Sequence, residues 1–266
     1  MLRVAAVVFA LAACSSKPKP QVLEVTSRYP IVPDAVMSQL GDIGFALAID
    51  LHALDLSAVS AMIPDAFSCG REIAHTAKMA VITAGIPDTW EGRIQGVAEA
   101  NSRSCLSEIA RALDISITTT GDHSATIDRP GTAVSVLWHD GDLLVAEKGA
   151  RVRSGSPPGV ITDLLTGVPR NVQAWAVTSG IPAQKIKRVT TWLHATAATW
   201  TVTTVAESIE LGAARPWIDN IVVGFTAAAK AKQIPVDASW FSVEATPTTA
   251  KLVATIPLAA FVPRTP

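Results

Sequence analysis

Tyrosine is nearly missing from this chain, which has one, and cysteine is scarce, with three among 266 residues. No two cysteines stand in a Cys-x-x-Cys spacing, so ribbon-type zinc sites and thioredoxin-like redox sites are excluded. Charge of one sign is also missing. Twenty-two basic against 23 acidic side chains leave a formal net charge of -1, which argues against nucleic acid as a partner, since such domains are usually basic. Phosphate loops, His-Glu-x-x-His, Gly-x-Ser-x-Gly and dinucleotide or kinase signatures are all lacking, so no cofactor and no metal is expected. Nor does any apolar run approach the roughly 20 residues that a membrane-spanning helix needs.

What the chain does have begins at its first residues. Met1-Leu2-Arg3 is basic, Val4–Ala13 is unbroken apolar sequence, and Ser15-Ser16-Lys17-Pro18-Lys19-Pro20 is polar. A short apolar core behind a positive start has the form of a secretory signal. Leu11-Ala12-Ala13-Cys14, at the end of the apolar run, resembles the lipobox of bacterial lipoproteins. The resemblance implies diacylglycerol on the Cys14 thiol and cleavage before it, leaving Cys14 first in the mature chain. Two or three acyl chains would then hold the protein firmly, at about 0.8 kcal/mol per buried methylene. A plain signal peptide with a chance cysteine is the alternative. Ser15 follows the cysteine where enteric inner-membrane lipoproteins tend to carry aspartate, so the resemblance implies the periplasmic face of the outer membrane.

Two cysteines remain, Cys69 and Cys105. Export places them where disulfides persist. A bridge closing that loop would contribute about 4 kcal/mol on the chain-entropy argument. Two buried free thiols are the other reading.

After a signal at 1–13, residues 14–42 read as a lipidated tether, with Pro18, Pro20, Pro30 and Pro33 and no sustained apolar period. Two α+β modules follow, at 43–150 and 171–263, joined by a linker at 151–170 that holds Ser154-Gly155-Ser156-Pro157-Pro158-Gly159. The first module offers strands at 44–50, 79–84 and 93–97, a helix capped by Ser57, and a longer helix over Ser102–Leu113. A meander of hairpins then turns at Gly121-Asp122, Arg129-Pro130-Gly131 and Asp140-Gly141. In the second module Val172–Val177 alternates as a strand, and Pro182 is expected to open a helix with Ile186, Val189 and Leu193 inward. Trp200–Val205 is a strand rich in β-branched residues, Pro216 opens a further helix, and 241–246 with 251–256 form a hairpin. The fold class expected is therefore α+β: two similar antiparallel-sheet modules of ferredoxin-like flavour, each covered by about two helices.

Alternate turns of a meander fall at the same end of its sheet, so Asp122, His123, His139, Asp140 and Asp142 should approach one another. Carboxylates and imidazoles together are suited to acid–base work or to a divalent cation. Asp-Gly is also the ordinary hairpin pair, which explains the same residues structurally. Seven tryptophans, five of them after residue 170, suit either a core or an exposed stacking platform. The function expected is a lipid-anchored envelope protein that binds or scaffolds a protein, peptide or glycan partner in a groove between its modules. The alternative is a periplasmic hydrolase, metal-assisted in one form, using the five hairpin-loop residues.

Overall fold

The computed structural model describes residues 29–37, 44–54, 69, 73, 76–85, 90–129, 132–147, 149, 159–231 and 233–261. The signal, Cys14, the helix expected from Ser57 and the whole of the 151–158 stretch lie outside the described residues.

Among the described residues, twelve strands form one sheet. They are β1 Phe45–Asp50, β2 Met79–Ala84, β3 Trp90–Gln95, β4 Ser116–Gly121, β5 Ser124–Arg129, β6 Thr132–His139, β7 Asp142–Ala146, β8 Ala174–Thr178, β9 Ile186–Ala195, β10 Thr199–Ser208, β11 Phe241–Ala245 and β12 Thr249–Pro257. Their spatial order is β11-β12-β10-β9-β8-β1-β2-β3-β7-β6-β5-β4, with every neighbouring pair antiparallel. The described helices are α1 Asp34–Met37, α2 Glu99–Leu113, α3 Gly159–Leu165 and α4 Ala214–Ala231.

This corrects the expectation of two modules, each covered by about two helices. β1 of the first half pairs along its length with β8 of the second, so the sheet runs through the middle of the chain without a break. Leu47 lies opposite Ala176 and Ala48 opposite Trp175, small against large, and the indole of Trp175 is 1% exposed. Apolar residues on both faces of β1 and β8 demand cover above and below, as in any central strand.

The two long helices share one face. α2 packs Cys105, Ile109 and Ala110 over Ile94, Val136, Trp138 and Leu143. α4 packs Ile218 over Ala206, Ala250 and Leu252. β12 shows why that face is the covered one: Ala250, Leu252, Ala254 and Ile256 are buried, while Lys251 and Thr255 between them are exposed. On the opposite face, the middle of the sheet is covered by residues 29–37 and by α3. Val32, Val36, Met37, Ile161, Leu164 and Leu165 meet Ala46, Ala48, Val81, Trp175 and Val177 there. Thus residues 29–37, read as tether, are packed, and 159–165, read as linker, form a helix whose buried side is Ile161, Leu164 and Leu165.

The helix expected from Pro182 is a strand. Only Pro182–Gln184 coil as a single 3₁₀ turn, and β9 begins at Ile186. Ile186 and Val189 are both buried despite the three-residue spacing that suggested a helix. A register shift between Glu207 and Ser208 of β10, opposite Arg188 and Ile186, accounts for it. The extra residue of such a bulge turns an i,i+3 spacing into one face of a strand. Gly180, at φ 151°, lets the chain pass close by: a Cβ there would sit 3.2 Å from the Lys187 carbonyl oxygen.

Candidate functional site

Cys69 and Cys105 are joined by a disulfide across a sequence separation of 36, with Cα atoms 5.1 Å apart. Cys105 is buried in α2, so the bridge ties that helix to residue 69.

The hairpin turns at 121–124 and 139–142 do lie at one end of the sheet, since the Trp138 amide donates to the His123 carbonyl at 2.9 Å. Their side chains nevertheless separate into local pairs. The first is centred on α2. Glu99 accepts from Arg103 Nε at 2.7 Å through one carboxylate oxygen and meets His123 Nδ1 at 2.8 Å through the other. Arg103 also donates to the Asp122 carbonyl at 2.6 Å, and its guanidinium lies 4.0 Å above the Trp138 ring centroid. Trp138 Nε1 donates to the hydroxyl of Ser102, which donates in turn to the Glu99 carbonyl at 3.0 Å. Arg103 and His123 together hold the Glu99 carboxyl below its usual pKa, chiefly through the two side-chain hydrogen bonds. This cluster clamps α2 to the β4–β5 turn.

The second pair is His139 Nε2 with Asp140 Oδ2, 3.2 Å apart and exposed. Asp142 belongs to a third group. It is buried, accepts from Arg93 Nε at 2.7 Å and from the Arg93 terminal nitrogen, and takes a long bond from Gln95 at 3.4 Å. Asp122 contributes only its carbonyl to the first cluster. Among the described residues, no three His, Cys, Asp or Glu side chains stand where they could hold a metal ion. Glu99 and Arg103, which complete the first cluster, escaped the sequence reading because Arg103 falls on the outward stripe of its helix. Their i,i+4 acid-then-base spacing is the signal that marks them.

The other candidate site lies beside α4. Gln184, Ala213, Pro216, Trp217, Asn220 and Ile221 line an open groove of about 480 Å³. The Trp217 indole N–H donates to the Gln184 side-chain oxygen, fixing the ring at the groove wall. The lining carries two carboxamides and no charge, so it suits an uncharged, largely apolar ligand surface. Nearby apolar side chains are also bare: Ile209 is 63% exposed, Leu211 78% and Val223 66%. Of the other tryptophans, Trp138 and Trp175 are buried, while Trp90, Trp192, Trp200 and Trp240 are half-buried.

Solved structures of a protein named TP0453 share this fold. Its crystal form III superposes with a TM-score of 0.52 at 11% identity, covering 85% of this chain and 95% of that one. Crystal form IV gives 0.51 at 11% identity, with coverage of 86% and 94%. At that identity the likeness establishes architecture alone. No protein-family model matches this chain, and no curated protein does either. Among the described residues no helix is long and apolar enough to cross a membrane.

Proposed function

We propose that this chain is an exported, lipid-anchored envelope protein whose body binds a partner through the groove beside α4. Anchoring rests on the lipobox-like Leu11-Ala12-Ala13-Cys14. Ser15 after the cysteine supports an outer-membrane, periplasm-facing location by analogy with bacterial lipoproteins. Binding rests on one observation: a charge-free groove walled by Trp217, with Ile209, Leu211 and Val223 bare on the same part of the body. A tryptophan held by one hydrogen bond, with a half-buried ring, is the kind of anchor that dominates binding surfaces. The partner offers an apolar segment able to hydrogen-bond to the Gln184 and Asn220 carboxamides.

Catalysis is not proposed, because His123, His139, Asp140 and Asp142 separate into local pairs and do not converge with Asp122 on one point. The anchor is tested by growth with a fatty-acid analogue. Label should enter the wild-type chain and disappear with Cys14→Ser; label retained by that variant refutes it. For the groove, a photocrosslinking residue at Asn220 should capture an adduct that Trp217→Ala abolishes. The same probe at Thr255, on the opposite face, should capture none. Equal capture from both positions refutes the groove.

A further inference from the structure

We propose that the groove beside α4 takes a proline-rich segment of another chain, bound in the extended polyproline II conformation. This rests on the groove being a binding site and adds the chemical class of its occupant.

The polar chemistry of the groove is biased toward donation. A carboxamide carries one acceptor oxygen and one donor NH2. The Gln184 oxygen already accepts from the Trp217 indole N–H, so the uncommitted group of Gln184 is its NH2. The same bond spends the only polar hydrogen of the indole and leaves the ring as apolar surface. Asn220, exposed on α4, brings a second NH2 to the lining. Charges that flank the lining residues in sequence are matched among themselves. Lys185 pairs with Glu210 at 2.6 Å, and Arg215 with Asp219 at 2.9 Å.

The complementary ligand is uncharged, offers acceptors, has few donors and covers an indole with apolar surface. Proline fits each requirement, since it has a backbone carbonyl, no N–H and an apolar ring. Polyproline II has no internal hydrogen bonds, so its carbonyls are free to accept, and its stiffness lowers the entropy lost on docking to an aromatic-lined groove.

Other modes of recognition fit less well. Strand addition needs an open sheet edge, and the lining comes from the 3₁₀ turn at Gln184, from Ala213 and from α4, none of it a strand. Acidic or phosphorylated motifs need an arginine cluster, which the lining lacks. A helix is about 10–12 Å across with its side chains, too broad to sink into about 480 Å³ of space along α4. Saccharide hydroxyls donate as well as accept, and the Gln184 oxygen that they would donate to is engaged by Trp217.

The test follows dye-labelled decaproline by fluorescence anisotropy as the lipidated full chain is added in mild detergent. Binding should saturate, and a Gly-Ser peptide of equal length should show none. Trp217→Ala should weaken binding by more than about tenfold, as loss of a central aromatic anchor does. Gln184→Glu keeps an oxygen for the Trp217 N–H but replaces the NH2 by an acceptor. It sits at an exposed position, so the fold survives it, and it should weaken decaproline binding as clearly. Absence of saturation, equal binding of the Gly-Ser peptide, or full affinity in Gln184→Glu overturns the proposal. So does Trp217-dependent binding of maltohexaose where decaproline does not bind. If the Trp217-dependent crosslink from Asn220 persists through such a failure, only the ligand class is lost; if that crosslink is missing too, the groove itself is refuted.

Discussion

The two halves of this sheet follow one plan and finish it differently. In each, three strands run as a meander (β1-β2-β3 and β8-β9-β10), a helix crosses one face, and the last strand returns beside the third, as β7 on β3 and β12 on β10. The first half inserts an extra hairpin, β4–β5, beyond that return. Its helix is held by a disulfide, by an arginine stacked on Trp138 and by a buried Ser102–Trp138 hydrogen bond. The second half's helix is longer and more apolar but buries only Ala214, Ile218 and Ala229 fully. What it has in place of a staple is a groove. The comparison teaches that the half whose helix is stapled closes over that helix, while the other keeps an open face beside its own.

The strongest challenge to this comparison goes through the seam the halves share. Trp175→Ala empties a fully buried site and removes the hydrogen bond from its indole to the Pro30 carbonyl at 2.8 Å. It should cost about 3–5 kcal/mol. Hydrogen exchange should rise in both halves together; loosening of one half alone would show that they fold separately. Replacing the disulfide by Cys69→Ser with Cys105→Ala should cost about 2–4 kcal/mol. Here the faster exchange should be confined to residues 99–147, leaving 199–257 as before.

Two tryptophan hydrogen bonds sharpen the contrast further. Ser102→Ala leaves the Trp138 N–H unsatisfied inside the first half, an expected cost of about 1–3 kcal/mol by thermal or urea unfolding. Gln184→Ala removes the equivalent partner of Trp217 at an exposed site, where the change should stay within about 0.5 kcal/mol. The smallest effect belongs to Glu99→Gln. The Glu99 carboxyl is held below its usual pKa in the fold, so its contribution is full above the ordinary carboxylate range and is lost as pH falls through the depressed value. The gap in melting temperature between wild type and variant should therefore be open near neutrality and close on strong acidification.

Much of the sheet was legible because strands with one covered face alternate. Met79–Ala84, the four hairpin strands at 116–146 and β12 all carry that period or its buried equivalent. α2 and α4 were legible from their apolar stripes. β9 was not, since a bulge imitates helical spacing, and only the run Val189-Thr190-Thr191-Trp192 speaks for a strand. Nor was the joining of β1 to β8, because pairing between residues far apart leaves no local mark in either segment. α3 was masked by the breakers that precede it, although Ile161, Leu164 and Leu165 keep helical spacing. At the site, turn geometry located the hairpin ends correctly, but local chemistry decided their side chains: His123 went to Glu99, Asp142 to Arg93, and only the adjacent His139 and Asp140 met each other.

The Trp175–Pro30 contact has a mechanical consequence. Because residues 29–37 are pinned beneath the middle of the sheet, a pull applied at residue 29 is taken up by strands with neighbours on both sides and reaches neither rim directly. Surfaces at the periphery would then keep their shape under load.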